Sequence, residues 1–447
     1  MTRSGGRPLP TGPRPATLSG PSSAPPLPVL SPVRALRPAA RFSPSKEVDL
    51  SVPPLSAEET SSRRPLHRPA LSRIGPPRPV TLSDGTQAWL VSRYDDVRQV
   101  LGDSRFGRAE LHAAERTALP GNAGLVGDPD LLFNQDGADH LRLRRALGRA
   151  FAPRTVARWR PWVTEIVDRS LGRLTARQPP VDVVAEFARP LPVAVIGRLM
   201  GLEPSLDERL RRWSEYAFTD GSHPAQDVER ELASFYGFGS ALLADRRRNT
   251  GEDLVSSLVR AADAEGGIPE GQLVALVCGL VTGGQDSTAT MIGNSLLHLL
   301  GERLEDWPRL ADETAAGIAA DRLLHMIPLG DDPGSLRRAR TDTEVGGVVI
   351  PAGAVVVADC ATANRDPAAF PADQADDLFT PLPRPTLSFG GGRHYCLGVW
   401  LARLELTLAL NRLAVALPRL RLAEPPEEVV WRLGGTSRSP ARLLVTW

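Results

Sequence analysis

The stretch SFGGGRHYCLGVW, residues 388–400, carries one of only three cysteines in 447 residues, Cys396, between a glycine-rich turn and an apolar run. Gly390 and Gly392 allow backbone conformations closed to other residues and let a flat ligand approach the chain. Cys396 is placed at the N-terminus of the helix that follows. There, free backbone N–H groups and the positive end of the helix dipole favour a thiolate. With no second cysteine and no spaced histidines beside it, the thiolate makes a poor zinc site but a good single axial ligand. The bland alternative is a buried free thiol, common for this residue type. The glycines, the flanking aromatic and the nearby cations argue against it.

The elements that must position this turn are mostly helical. Helical spacing runs through YDDVRQVLGD, through 140–174 with an interruption at Pro153, and over about 187–202, 203–219, 225–248, 251–264 and 269–300. The last is long and mostly apolar, the mark of a helix buried through a large domain. A further helix is expected from about 397 to 415, with Leu397, Leu401, Leu404, Leu408 and Leu410 near helical spacing. Two hairpins are expected: residues 81–94 around Asp84-Gly85, and 343–364 around Pro351–Gly353. No linker divides this body and no internal repeat is found.

Composition excludes several classes. Net charge is +1, so bulk charge gives no nucleic-acid groove. Hydrophobic residues make up 42% and charged residues 23%, which suits a soluble protein with a sizeable core. Lys46 is the single lysine, a skew that matches coding bias better than function. Three widely spaced cysteines give no disulfide framework and point to a reducing compartment. No apolar run nears the ~18 residues of a membrane span, and no secretory leader precedes the prolines. The expectation is a cytoplasmic protein. Residues 1–62, rich in Pro, Ser, Gly and Arg, are expected to be disordered, and 63–447 to form one domain.

The pattern F-G-x-G-x-[H/R]-x-C-x-G is filled by Phe389, Gly390, Gly392, His394, Cys396 and Gly398, and it resembles the haem-binding signature of the cytochrome P450 family. The resemblance runs from about residue 80 to the C-terminus. It implies a mainly α cytochrome P450 fold, a large helical domain with small β-sheets, and haem b with Cys396 as its proximal thiolate ligand. His394 would contact a haem propionate and Phe389 would pack beside the cysteine. DGADHLRLRRALGRAFAPR is similar to the family's helix of propionate ligands, with His140 and Arg144 one helical turn apart. SLRRARTDTEVGGVVIPAG resembles the strand bearing the other propionate cation, which assigns Arg337, with Arg338 as the fallback. Arginine offers carboxylates a fork of donors. LVTGGQDSTATMIG resembles the oxygen-binding stretch. Gly283 and Gly284 would leave room beside the iron, and Asp286 and Ser287, followed by Thr288, would pass protons. Serine replaces the usual threonine at 287, keeping the hydroxyl but losing the methyl that fixes its rotamer. On their own, these polar residues could equally bond to the helix backbone.

The resemblance breaks in one place. The family's E-x-x-R motif corresponds to AADRLLHMIPLG, where Arg322 stands in place of Glu and His325 in place of Arg. The third member of that charge cluster, an arginine in the proline-rich meander, corresponds to Ala375. Removing one partner of a buried charge cluster costs on the order of 3–5 kcal/mol, whereas removing all of it can be near neutral. The three positions are therefore read as having changed together.

The resulting expectation is a haem-thiolate monooxygenase that inserts one oxygen atom of O2 into a small organic substrate. No G-x-G-x-x-G follows a strand, so electrons would come from a separate ferredoxin and ferredoxin reductase. Two rivals stand: a family member without monooxygenase activity, acting as a sensor or partner subunit, and a peroxide-driven peroxygenase.

Overall fold

The computed structural model describes residues 74–82, 85–114, 124–218, 223–264, 267–330, 335–374, 376–432 and 437–447. The expected disordered tail, Asp84 and Ala375 lie outside the described residues. The principal helices are α1 (Tyr94–Gly102), α2 (Gly137–Gly148), α3 (Pro153–Thr175), α4 (Pro190–Leu199), α5 (Asp207–Ala217), α6 (Ala225–Arg248), α7 (Leu254–Ala264), α8 (Glu270–Glu302), α9 (Glu313–Met326) and α10 (Val399–Ala416). Local chemistry sets their starts. Pro153 opens α3, where a missing N–H goes unfelt. Asp312 caps α9 by accepting from the Ala315 amide at 2.8 Å. Leucine, valine and alanine of α8 are buried along most of its length, and it packs against α4, α5, α6 and α10. It is the central rod of the domain.

The strands are β1 (Arg78–Thr81), β2 (Gln87–Val91), β3 (Phe106–Gly107), β4 (Val181–Asp182), β5 (Ser335–Ala339) and β6 (Thr343–Val345), then β7 (Val348–Ile350), β8 (Val355–Ala358), β9 (Arg421–Leu422), β10 (Trp431–Arg432), β11 (Ser439–Pro440) and β12 (Leu444–Thr446). They form one five-stranded sheet, ordered β1-β2-β8-β5-β3, and three small sheets. The expected mainly α fold with small β-sheets is what the chain adopts. The β1–β2 hairpin forms as expected, closed by Leu82 and Thr86, with Gly85 at φ 84°.

Residues 343–364 do not form one hairpin around Pro351–Gly353. The chain reverses earlier, at Gly346 (φ 56°) and Gly347 (φ 83°), pairing β6 with β7. Beyond Gly353 the β-branched run Val355–Val357 leaves for the large sheet, parallel to β2 and antiparallel to β5. All of β8 is buried there, so burial on both faces outweighs a local hairpin. Two helix starts also differ. The run from 187 begins as a π-helical turn at Val184–Ala188 before α4. The last helix begins at Val399, three residues after Cys396.

Candidate functional site

Between α8 and the segment 388–398 lies a cavity of about 640 Å³, a size usual for small-molecule sites. Cys396 opens onto it. The turn that presents the thiol is held by Gly390 N–H donating to Leu387 O (2.8 Å) and Cys396 N–H donating to Phe389 O (2.9 Å). Gly390 and Gly392 take φ of 70° and 61°, conformations that suit glycine. Gly392 also lies against α1: a Cβ there would meet Leu101 O at 2.2 Å. The cavity sits deep in the protein, so burial pushes the Cys396 thiol up; the amides of Gly398 and Val399 and the Arg144 cation pull against that shift. Phe389 and Gly398 line the cavity beside it.

Cations and imidazoles gather at one side. His140 and Arg144, one turn apart on α2, both line the cavity together with His394. The His140 ring lies 4.4 Å from that of His394, and burial with surrounding cations lowers its pKa to about 4. The Nδ1 atoms of both rings are buried without a hydrogen-bond partner. Arg337 is 2% exposed, and its hydrogen bonds go to Ser335 Oγ (2.5 Å) and the Leu336 carbonyl (2.8 Å). Burial and nearby Arg108 lower it to about 9, the signature of a guanidinium short of an anion. Strand alternation turns Arg338 the other way, onto the Gly353 carbonyl at 2.9 Å.

On the opposite wall, Gly283, Gly284, Ser287 and Thr288 of α8 line the cavity. Nothing lies within 4 Å of the Cβ position of Gly283, so that face is open. Ser287 donates to the Gly283 carbonyl at 3.0 Å, the backbone bond foreseen for this type of residue. Asp286 does not line this cavity. It faces a small second one, about 40 Å³, bordered by Arg189, Arg211 and Glu215. Its carboxylate accepts from Arg432 and from the Ser437 hydroxyl.

Three residues were not singled out from sequence. Asp136 accepts from His394 Nε2 (2.9 Å) and from the amides of Arg108 and Ala109 (2.6 and 2.8 Å). Burial opposes its charge, but the His394 bond and the two amides hold the carboxyl well below the usual range. The only local signal was its position before a helix. Glu405 of α10 lines the cavity, with Oε2 buried and unpartnered, and burial pushes its pKa up to about 8. Its neighbours Leu404, Leu406 and Leu408 masked it as part of an apolar helix. Asn364 lies behind the turn and donates to Ser388 Oγ at 2.8 Å. Arg322 and His325, the residues in the altered motif, are both buried.

Among the described residues no group of three or more His, Cys, Asp and Glu could hold a metal ion. One thiol facing a largely apolar cavity, with Arg144, His140 and His394 in its lining and the Nδ1 atoms of both rings unpartnered, fits an iron porphyrin bearing two carboxylates; buried Arg337 is not among the lining residues. The comparisons agree. The family model described as Cytochrome P450 matches residues 332–431. Nocardicin C N-oxygenase of Nocardia uniformis subsp. tsuyamanensis is 40% identical over 369 residues, covering 82% of this chain and 92% of its own. Mycinamicin IV hydroxylase/epoxidase of Micromonospora griseorubida is 37% identical over 379 residues, covering 84% and 92%. Among solved structures, the LnmA cytochrome P450 hydroxylase of the leinamycin biosynthetic pathway of Streptomyces atroolivaceus superposes with a TM-score of 0.77. It is 33% identical over 90% of this chain and 98% of its own.

Proposed function

The chain belongs to the cytochrome P450 family and is a P450 monooxygenase with a haem-thiolate cofactor, and we propose that it inserts one oxygen atom from O2 into a small organic metabolite at the cavity above Cys396. The observation that carries this reading is the Cys396 thiol, presented by a glycine turn to a cavity that the Gly283–Thr288 face of α8 closes on the other side. Haem b bound there would supply one-electron redox chemistry and dioxygen activation, the second oxygen atom leaving as water.

The protein's own groups have separable tasks in this proposal. Cys396 ligates the metal as a thiolate, helped by the amides of Gly398 and Val399. Arg144, His140, His394 and Arg337 hold the two carboxylates of the cofactor, and Asp136 fixes the orientation of the His394 ring. Gly283 and Gly284 keep space for substrate and dioxygen. Ser287 and Thr288 bring hydroxyls to the cavity, while Asp286, which faces the second cavity and is bound by Arg432 and Ser437, would pass protons to them only on exchanging those partners. Apolar residues such as Leu131, Ile196 and Met291 line the substrate side, which favours a largely apolar ligand.

Electrons would come from a separate ferredoxin and ferredoxin reductase, docking near the Cys396 turn. The haem domain would span 63–447 and work in the cytoplasm. Among the described residues no helix is long and apolar enough to cross a membrane. The test is the absorption spectrum of purified, dithionite-reduced protein under carbon monoxide. A Soret band at the red-shifted position of thiolate-ligated haem is expected, and Cys396→Ala must lose it along with haem-dependent oxidation. A band at the shorter-wavelength position in the parent protein, or oxidation that survives Cys396→Ala, would overturn the reading.

A further inference from the structure

The altered motif does not leave a gap in the structure; it builds a different lock. Helix α9 ends at Met326, and the segment 364–365 takes up its last carbonyls. Asn364 Nδ2 donates to His325 O (3.3 Å) and Arg365 Nη2 to Met326 O (3.0 Å). The same Asn364 reaches the chain that enters the cysteine turn. Its Oδ1 accepts from the Leu387 amide at 2.8 Å, and its Nδ2 donates to Ser388 Oγ at 2.8 Å. His325 joins this network from the helix side, with Nδ1 3.3 Å from Thr386 Oγ1. Thr386 Oγ1 in turn accepts the Ser388 amide at 3.2 Å. The His325 ring packs on Phe370, 4.3 Å between centroids.

One turn earlier, Arg322 is 2% exposed and donates to the Gln374 carbonyl of the meander. Burial works against its charge, and Asp377 and Asp376 of the meander support it. In the family's usual motif the position of Arg322 is an acid, faced by cations at 325 and from the meander; here position 322 is itself the cation and its acceptors are on the meander. That reversal constrains position 325. A second arginine there would lie three residues from Arg322 on the same helix face, two cations in one buried site. A neutral imidazole avoids the clash, and its Nδ1 can accept the Thr386 hydroxyl. Burial first, then Arg322 and Arg365, lower His325 to about 4, so it stays neutral across the ordinary pH range.

We propose that Arg322 and His325 are positioning residues that form a lock of reversed polarity between α9, the meander and residues 386–388, and that this lock fixes the cysteine turn. Its consequence for the cofactor rests on Cys396 being the iron ligand; its structural part does not.

The test uses the full chain with Arg322→Gln, Arg322→Glu, His325→Leu and His325→Gln. Backbone amide exchange at Leu387 and Cys396 is followed in haem-free protein, and the reduced carbon monoxide spectrum in loaded protein. His325→Leu, which removes the acceptor, should speed exchange at Leu387 about tenfold or more, while the β6–β7 hairpin amides keep their protection. The same variant should move part of the Soret band to the shorter wavelength. His325→Gln, which keeps an acceptor, should stay close to the parent in both readouts. Arg322→Glu, aimed at a carbonyl and two acids, should be worse than Arg322→Gln. Parent-like exchange and spectrum in His325→Leu, or an Arg322→Glu protein no worse than Arg322→Gln, would overturn the proposal. If His325→Leu unfolds throughout, the comparison of the two Arg322 variants decides. A parent protein lacking the red-shifted band defeats the haem-thiolate reading alone, because the exchange data still judge the lock.

Discussion

Three glycines of the cysteine turn should respond very differently to alanine, and the order follows from geometry. At Gly392, φ is +61°, which costs alanine about 1–2 kcal/mol relative to its preferred regions. The added Cβ would also meet Leu101 O at 2.2 Å and Gly102 Cα at 2.7 Å, both backbone atoms of α1 and its end. Ordinary contacts lie near ~3.5 Å, so helix or turn must move by about 1 Å. Overpacking of that kind adds about 1–3 kcal/mol. The expected loss for Gly392→Ala is therefore roughly 2–5 kcal/mol, a large share of a typical stability of about 5–15 kcal/mol. At Gly390 the positive φ of +70° remains, but the nearest atom is His394 O at 3.8 Å, so only the conformational part applies, about 1–2 kcal/mol. Gly398 has φ −84° and nothing within 4 Å of its Cβ position, so Gly398→Ala should change stability by less than about 0.5 kcal/mol. Urea denaturation midpoints of the three purified variants, with the slope checked for constancy, measure the order directly. Equal losses at 390 and 392, or Gly398→Ala as the worst of the three, would refute the claim that close approach of the turn to α1 sets the requirement at Gly392.

Other outcomes can be checked alongside. Glu405 holds its proton in the fold up to about pH 8 against an ordinary value of 4.5, so the stability it allows is fully present below pH 4.5 and is lost as pH rises toward 8. Glu405→Gln should thus gain on the parent protein across that window by up to about 4–5 kcal/mol, at ~1.4 kcal/mol per pH unit; a gap that does not change with pH would contradict a buried carboxyl held protonated. Arg144→Ala should weaken cofactor retention about tenfold, read as the rate of haem transfer to an acceptor globin, and an unchanged rate would remove Arg144 from the binding set. Asp286→Asn should slow reductant-driven oxidation about tenfold or more while leaving the carbon monoxide spectrum intact; a disturbed spectrum would mean that the bonds to Arg432 and Ser437 serve the fold instead.

What could be read from the chain was what depends on few residues close in sequence. The cysteine turn is ten residues long, and its glycines, cysteine and following helix suffice to describe it. Arg337 was put ahead of Arg338 by counting back from the 347–353 segment, and in the structure Arg337 is buried while Arg338 turns to the Gly353 carbonyl. The hairpin in 343–364 was misplaced because the fate of Val355–Val357 is decided by β2, far away in the chain. Asp136 stayed hidden because its importance comes from His394, Arg108 and Ala109, which no spacing rule connects to it. The change at 322 and 325 was visible as a loss. Its replacement was not, since the new acceptor for Arg322 is a backbone carbonyl and carries no residue signature.

The parallel pairing of β2 with β8 also governs how the chain can be made. Ala88–Val91 cannot find their partners Val355–Ala358, nor the Tyr94 amide its acceptor on Asp366, 272 residues away, until most of the polypeptide has left the ribosome. At about 5–20 residues per second, that wait is on the order of 15–50 seconds. Through it, the first hairpin presents Leu90 and Val91 on an unpaired edge, an aggregation hazard for a nascent chain. Soluble yield should therefore respond to holdase supply and growth temperature more than the finished fold would suggest.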